Sequence, residues 1–262
     1  MPKYIGNAGQ YQSERALVRR LNALMRLMCV MMVFLFFCGW VAGRARDSRP
    51  AESLLYALVA IAVALPAIRY LSRRLDKQIR LARFDEAGAA GERLLIPALR
   101  MLPDTFTVIS DFDFADSFGN IDHLIIGPTG LFAIDIKNWN GIVSADGNGE
   151  LLLNGRPTDK PQARAFTARA MNLRERLKAL TRLEPYINCL MVFPHTRVEA
   201  RWGTTGRVTC LRLDQVADYV MKFKPKTPVS AADQVLLIKA VSALKDTVST
   251  AVPESSPTHQ PV

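Results

Sequence analysis

The sequence predicts an α/β domain preceded by a pair of membrane-spanning helices. Three observations carry that expectation. Two uncharged apolar runs, Leu27 to Gly43 and Ser53 to Ile68, stand close together near the N-terminus. Beyond residue 86, strand-like runs bounded by turn residues interleave with apolar residues at helical spacing. Near the middle, the runs Ile121 to Gly127 and Leu131 to Asn138 bracket Pro128-Thr129-Gly130, a hairpin connection.

The apolar runs come first in the chain. They stand at or just below the short end of the roughly 17–25 residues a bilayer needs. Arg26, Arg44 and Arg69 at their ends can snorkel, and Trp40, Tyr56 and Tyr70 suit the interface. The link from Arg44 to Glu52 is short and contains Pro50, so the runs are expected to form a hairpin; buried or interfacial helices are the other reading. Lys3, Arg15, Arg19, Arg20 and Arg26 precede the first run, and Arg69, Arg73, Arg74, Lys77, Arg80 and Arg83 follow the second. The intervening loop holds Arg44, Arg46 and Arg49 against Asp47 and Glu52. The positive-inside rule then places both termini in the cytoplasm, as a multi-pass protein of the inner membrane.

Lys and Arg number 34 against 24 Asp and Glu, a net charge of +10 that favours a polyanionic partner, nucleic acid or acidic headgroups. Part of that surplus belongs to the flanks of the spans. The four cysteines, Cys29, Cys38, Cys189 and Cys210, form no Cys-x-x-Cys pair and suggest neither a zinc site nor a disulfide framework. No P-loop, Rossmann glycine pattern or Gly-x-Ser-x-Gly supports nucleotide-driven or serine-hydrolase chemistry.

The expected organisation is a basic N-terminal segment over 1–26, a transmembrane hairpin over 27–71, a charged connector over 72–86, a folded domain over 87–250 and a disordered Pro- and Ser-rich tail over 251–262. The connector reads as helical, its basic face lying on anionic lipid or simply solvated. Gly91 to Met101 continues as an amphipathic helix. Phe106 to Phe112 reads as a strand, with a turn at Asp116 to Asn120 before the central hairpin. Short strands are expected at Ile142 to Ser144 and Leu151 to Asn154. In a helix from Gln162 to Thr181, Phe166, Ala170, Leu173, Leu177 and Leu180 share one face, while Arg164, Arg169, Arg174, Arg176 and Lys178 form a basic rim. Buried strands at Asn188 to Phe193 and Val208 to Leu211 and helices at 213–222 and 231–249 complete the domain.

Chemistry concentrates at the hairpin. Side chains alternate along a strand, so Asp135 and Lys137 project from one side. Asp122 lies one hairpin upstream, and Glu92 joins them if its helix packs over the strands. Carboxylates that hold a divalent ion, beside an ammonium that orients or deprotonates a water, suit phosphodiester hydrolysis. Each residue also has an ordinary reading: Glu92 as a first-turn helix acid, Asp122 as a turn cap, Asp135 and Lys137 as a same-face ion pair. The spacing of acid, hairpin and acid-x-Lys favours the joint site. His123 faces the other way and reads as a buried, hydrogen-bonded ring; Asp111 and Asp113 read as solvated turn acids able to supplement the site.

The runs GERLLIPAL and GNIDHLIIGPTGLFAIDIKNWNG resemble the nuclease-related domain, NERD, of the PD-(D/E)XK nuclease superfamily, over about Gly91 to Leu180. The resemblance implies a restriction-endonuclease-like core, a central mixed β-sheet flanked by helices. It also implies catalysis by Glu92, Asp122, Asp135 and Lys137, with Mg2+ or Mn2+ held by Glu92, Asp122 and Asp135. Asp135 stands where the family more often has Glu. Gln162, after Asp159-Lys160-Pro161, is the counterpart of a family Gln and is given a supporting role. The expectation is a membrane-anchored, metal-dependent nuclease acting on DNA; the alternative is a catalytically silent, membrane-tethered nucleic-acid-binding or scaffold protein.

Overall fold

The computed structural model describes residues 1–6, 8–47, 50–114, 119–200 and 208–251. It divides into two units: Tyr11–Ala87, and Met1–Gln10 together with Gly88–Val262. The expected disordered tail lies beyond residue 251, outside the described residues.

The helices α1 (Gln10–Asp47) and α2 (Pro50–Leu99) make up the first unit, and the end of α2 runs on into the second. The segment Gln12–Arg44 of α1 is long and apolar enough to cross a membrane, with a mean hydropathy of 2.2 and none of its apolar window buried. The second expected span, Ser53 to Ile68, is helical within α2, but several of its side chains lie outside the described residues, as do residues 48 and 49 of the link. The charged connector is no separate element. Nothing between Ile68 and Leu99 breaks the helical hydrogen-bond pattern, so connector and amphipathic segment are one continuous helix. Ala16, Ala23 and Ala82 are buried, and the ion pairs Arg19–Asp85 (2.6 Å) and Arg20–Glu86 (2.5 Å) join α1 to α2.

The second unit is built on a six-stranded mixed sheet: β1 (Lys3–Ile5), β2 (Thr107–Phe112), β3 (Ile121–Gly127), β4 (Gly130–Ile136), β8 (Ile187–Phe193) and β10 (Val208–Arg212), in that spatial order. The β2–β3–β4 strands are antiparallel neighbours, whereas β1 on β2, β8 on β4 and β10 on β8 are parallel. A four-stranded side sheet, β7-β6-β5-β9, is formed by β5 (Ile142–Ala145), β6 (Leu151–Leu153), β7 (Arg156–Pro157) and β9 (Arg197–Val198). On one face of the main sheet, Leu124, Ala133 and Met191 pack with Phe166, Ala170 and Leu173 of α3 (Gln162–Thr181) and with Leu237 and Val241 of α5 (Ala231–Ala251). On the other, Ile125, Ile134 and Val192 pack with Leu95 and Leu99 of α2 and with Val216 and Val220 of α4 (Val216–Lys222). This is the expected mixed sheet flanked by helices.

One part of the expected organisation changes. Lys3–Ile5, read as part of a basic N-terminal segment, is an edge strand of the main sheet, paired Lys3 with Thr107 and Ile5 with Ile109. Three residues carry no periodic signal of their own. Only the free edge of β2, more than a hundred residues later, makes them a strand.

Candidate active site

Strands β3 and β4 are buried along their whole length, and their sequences are correspondingly apolar on both faces. Asp122, His123 and Asp135 are the exceptions, and all three are inaccessible to solvent or nearly so. Groups of this kind are buried only when paired or functional. The β2–β3 register sets Ser110 against His123 and Phe112 against Ile121, and the β3–β4 register sets His123 against Ile134. Asp111, Asp122 and Asp135 therefore stand in one row across three neighbouring strands.

At that row side chains take over from the backbone ladder. The Ile136 amide donates to Asp122 Oδ2 at 2.6 Å. Asp111 adopts a left-handed conformation, φ +49°, uncommon for any residue but glycine and enriched at functional sites. Its kink interrupts the alternation, so that Ile109 and Phe112 join the same core cluster. Lys137 lies just past the end of β4, where its amide still donates to Val192 O at 2.9 Å. Its ammonium sits 2.8 Å from Asp135 Oδ2, which confirms the same-side projection read from strand alternation.

Glu92 arrives from α2 and is fully buried. Gly91 makes this possible: a Cβ there would lie 3.0 Å from Asn138 Cβ and 3.5 Å from Ile136 Cγ2, so the missing side chain lets the helix rest on the end of β4. Glu92 Oε2 accepts the Gly9 amide at 2.7 Å, and Oε1 is buried without a hydrogen-bond partner among the described residues. Gly9 has φ +72°, and a Cβ on it would lie 3.0–3.1 Å from Ala89 backbone atoms. Gly9→Ala is expected to cost about 1–2 kcal/mol from its left-handed backbone alone. A thermal melt of the full chain in detergent would read that loss, and an unchanged melting temperature would show that the segment is not held there.

The electrostatics follow from crowding acids in a dry place. Desolvation, then repulsion by Asp122 and Asp111, pushes Glu92 up to about 9. Desolvation and Asp135 raise Asp122 to about 7, against the pull of Lys137. Burial opposes the Lys137 ammonium, but Asp135 and Asp122 outweigh it and its pKa is raised, so the side chain is a cation. His123 behaves as its strand position implied: desolvation lowers it to about 4, and its Nδ1 lies 3.0 Å from Ser110 Oγ.

The chain thus brings Glu92, Asp122, Asp135 and Lys137 together. Gln162 is the first residue of α3, at the end where the Ala163 and Arg164 amides donate to Glu150. It stands seven residues, about 10 Å of helix, before the α3 side chain that reaches the acids. That side chain is Arg169, read from sequence as part of the basic rim. Its Nη1 donates to Asn120 O at 2.6 Å and its Nη2 lies 3.4 Å from Asp135 Oδ1. The available signal was position: Arg169 lies three residues after Phe166 and one before Ala170, on the border of the apolar stripe. Gly9 carried no signal at all.

Among the described residues, no three His, Cys, Asp or Glu side chains close around one point as a ready ligand set. Asp135 is turned to Lys137 and Arg169, and Asp122 and Glu92 each give an oxygen to a backbone amide. The donor set still suits a hard divalent ion. It is all oxygen, it includes the orphaned Glu92 Oε1, and its acids (Glu92, Asp111, Asp122, Asp135) outnumber its cations (Lys137, Arg169).

An uncharacterized protein of Bacillus anthracis is 30% identical over 94 residues, 34% of this chain and 41% of that protein. The chain therefore matches less than half the length of that relative. No solved structure matches the chain. The family model described as the nuclease-related domain, NERD, matches residues 87–194, a span that holds Glu92, Asp122, Asp135, Lys137 and Arg169. Over residues 87–194 the chain is therefore similar to the nuclease-related domain.

Proposed function

We propose that the chain is a membrane-anchored nuclease that hydrolyses phosphodiester bonds in DNA with the help of Mg2+ or Mn2+. The observation that carries the reading is the buried surplus of carboxylates, Glu92, Asp122 and Asp135, gathered against the Lys137 ammonium. Asp122, Asp135 and Glu92 would hold the ion, which when bound supplies an activated water and offsets phosphate charge. The chain's own residues supply the rest. Lys137, held as a cation beside Asp135, donates to the attacking water or to a phosphate oxygen and counters the charge that builds up there. Ile136 N–H anchors one oxygen of Asp122, and Gly9 N–H anchors one oxygen of Glu92. The apolar helix Gln12–Arg44 is the anchor, and basic residues on both flanks of the hairpin favour a cytoplasmic domain.

The test uses the full chain in detergent, because β1 belongs to the catalytic sheet and a fragment starting after the helices would lack it. Labelled single- and double-stranded DNA and RNA are offered with Mg2+, Mn2+ or EDTA, beside Lys137→Ala. DNA cleavage that needs the metal and disappears in the variant is the expected result. Binding without cleavage by the wild type under every condition would move the assignment to a silent, tethered nucleic-acid-binding protein.

A further inference from the structure

Arg169 is held so that one edge of its guanidinium is poorly paired. Its side chain is 13% exposed, and its guanidinium lies over the Phe166 ring at 5.6 Å. Nη1 is anchored by Asn120 O at 2.6 Å, so the plane of the group is set. The opposite edge, Nε and Nη2, is the edge an arginine offers to two oxygens at once. Here Nη2 reaches only 3.4 Å from Asp135 Oδ1, long for a charge-assisted bond, and Nε is buried with no acceptor among the described residues. The other oxygen of Asp135 faces the Lys137 ammonium at 2.8 Å and makes no hydrogen bond of its own among the described residues. A buried charged donor left without a partner is costly, so a two-oxygen acceptor there is strongly favoured.

We propose that Arg169 is the phosphate clamp of this site: its Nε and Nη2 take two non-bridging oxygens of one phosphate group beside Asp135 and Lys137. The proposal rests on the nuclease reading for its substrate, a nucleic-acid phosphodiester, and is specific to a planar fork. Lysine carries the same charge but has no second donor at fixed geometry. Arg169 also explains how one face of α3, otherwise apolar, serves the site: Phe166 is the platform and Asn120 the stop.

The experiment compares the full chain in detergent with Arg169→Lys and Arg169→Gln. The probe for the clamp alone is inorganic phosphate, titrated calorimetrically without metal; the probe for the reaction is duplex DNA cleavage over a Mn2+ series. Thermal melts accompany both. The expected result is phosphate affinity reduced at least about 10-fold in both variants, with cleavage reduced on the order of 10²-fold and the half-saturating Mn2+ unchanged. Wild-type phosphate affinity in either variant, or no phosphate binding by the wild type, overturns the clamp. A wild type that binds phosphate through Arg169 yet cleaves nothing keeps the clamp and removes the nuclease reading alone.

Discussion

Asp135→Asn is expected to reduce metal-dependent DNA cleavage by at least about 10²–10³-fold while leaving a folded protein. Asparagine keeps the volume and one acceptor oxygen at a position that is 3% exposed. It removes the charge that faces Lys137 at 2.8 Å and Arg169 at 3.4 Å. Breaking an isolated buried pair costs about 3–5 kcal/mol. Here the penalty is smaller, on the order of 1–2 kcal/mol, because Asp122 also attracts Lys137 and loses a repelling neighbour. Cleavage at saturating Mn2+ and a melt on the same preparation separate the two effects. A variant that melts near the wild type and cleaves within about threefold of it would remove Asp135 from the reacting centre.

Glu92→Gln is expected to raise the stability of the metal-free protein at pH 8 and to flatten its dependence on pH. A carboxyl group with a raised folded-state pKa stabilises fully below its unfolded value, and that stability disappears as pH rises through the folded value. Glu92, raised from 4.5 to about 9, and Asp122, raised from 3.8 to about 7, both run in that direction. His123, lowered from 6.5 to about 4, runs in the opposite one: its contribution is present above 6.5 and disappears as pH falls through 4. Between pH 5 and pH 8 the acids dominate, and the wild type in EDTA is expected to lose on the order of 2 kcal/mol, roughly 4–8 °C in melting temperature. Glutamine still accepts the Gly9 amide, so the variant keeps the local geometry and should lose only the Asp122 share. Mn2+ should raise the wild-type melting temperature more at pH 8 than at pH 5, because its ligands must be ionised. Parallel curves for the two proteins across that range would mean that Glu92 does not share the buried field of the strand acids.

Much of this domain is legible from residues a few positions apart. The boundaries of β2, β3, α3, β8 and β10 follow from local apolar runs and their turn residues, and the structure moves them by a residue or two. Asp122, Asp135 and Lys137 are legible for the same reason: hairpin length and strand alternation are local geometry, and a buried acid stands out in an apolar strand. Glu92 needed one step more, the packing of α2 on β4, for which Gly91 was the visible hint.

The remainder depended on contacts between distant parts of the chain. Strand β1 exists because β2 has a free edge, and Gly9 meets Glu92 across 83 positions. Arg169 meets Asp135 across 34 positions and Asn120 across 49, which turns one rim arginine inward while Arg164 and Lys178 stay exposed. Asp111 read as a turn acid, and only the strand register sets it in the row with Asp122 and Asp135. By itself the sequence determined the α/β class, the apolar N-terminal helix and which acids and lysine make up the candidate site, because each is written in the period of a strand or helix. Only the tertiary structure decided which arginine faces the acids, which amides hold them and how strongly they repel, because those depend on burial and on neighbours that no local pattern encodes.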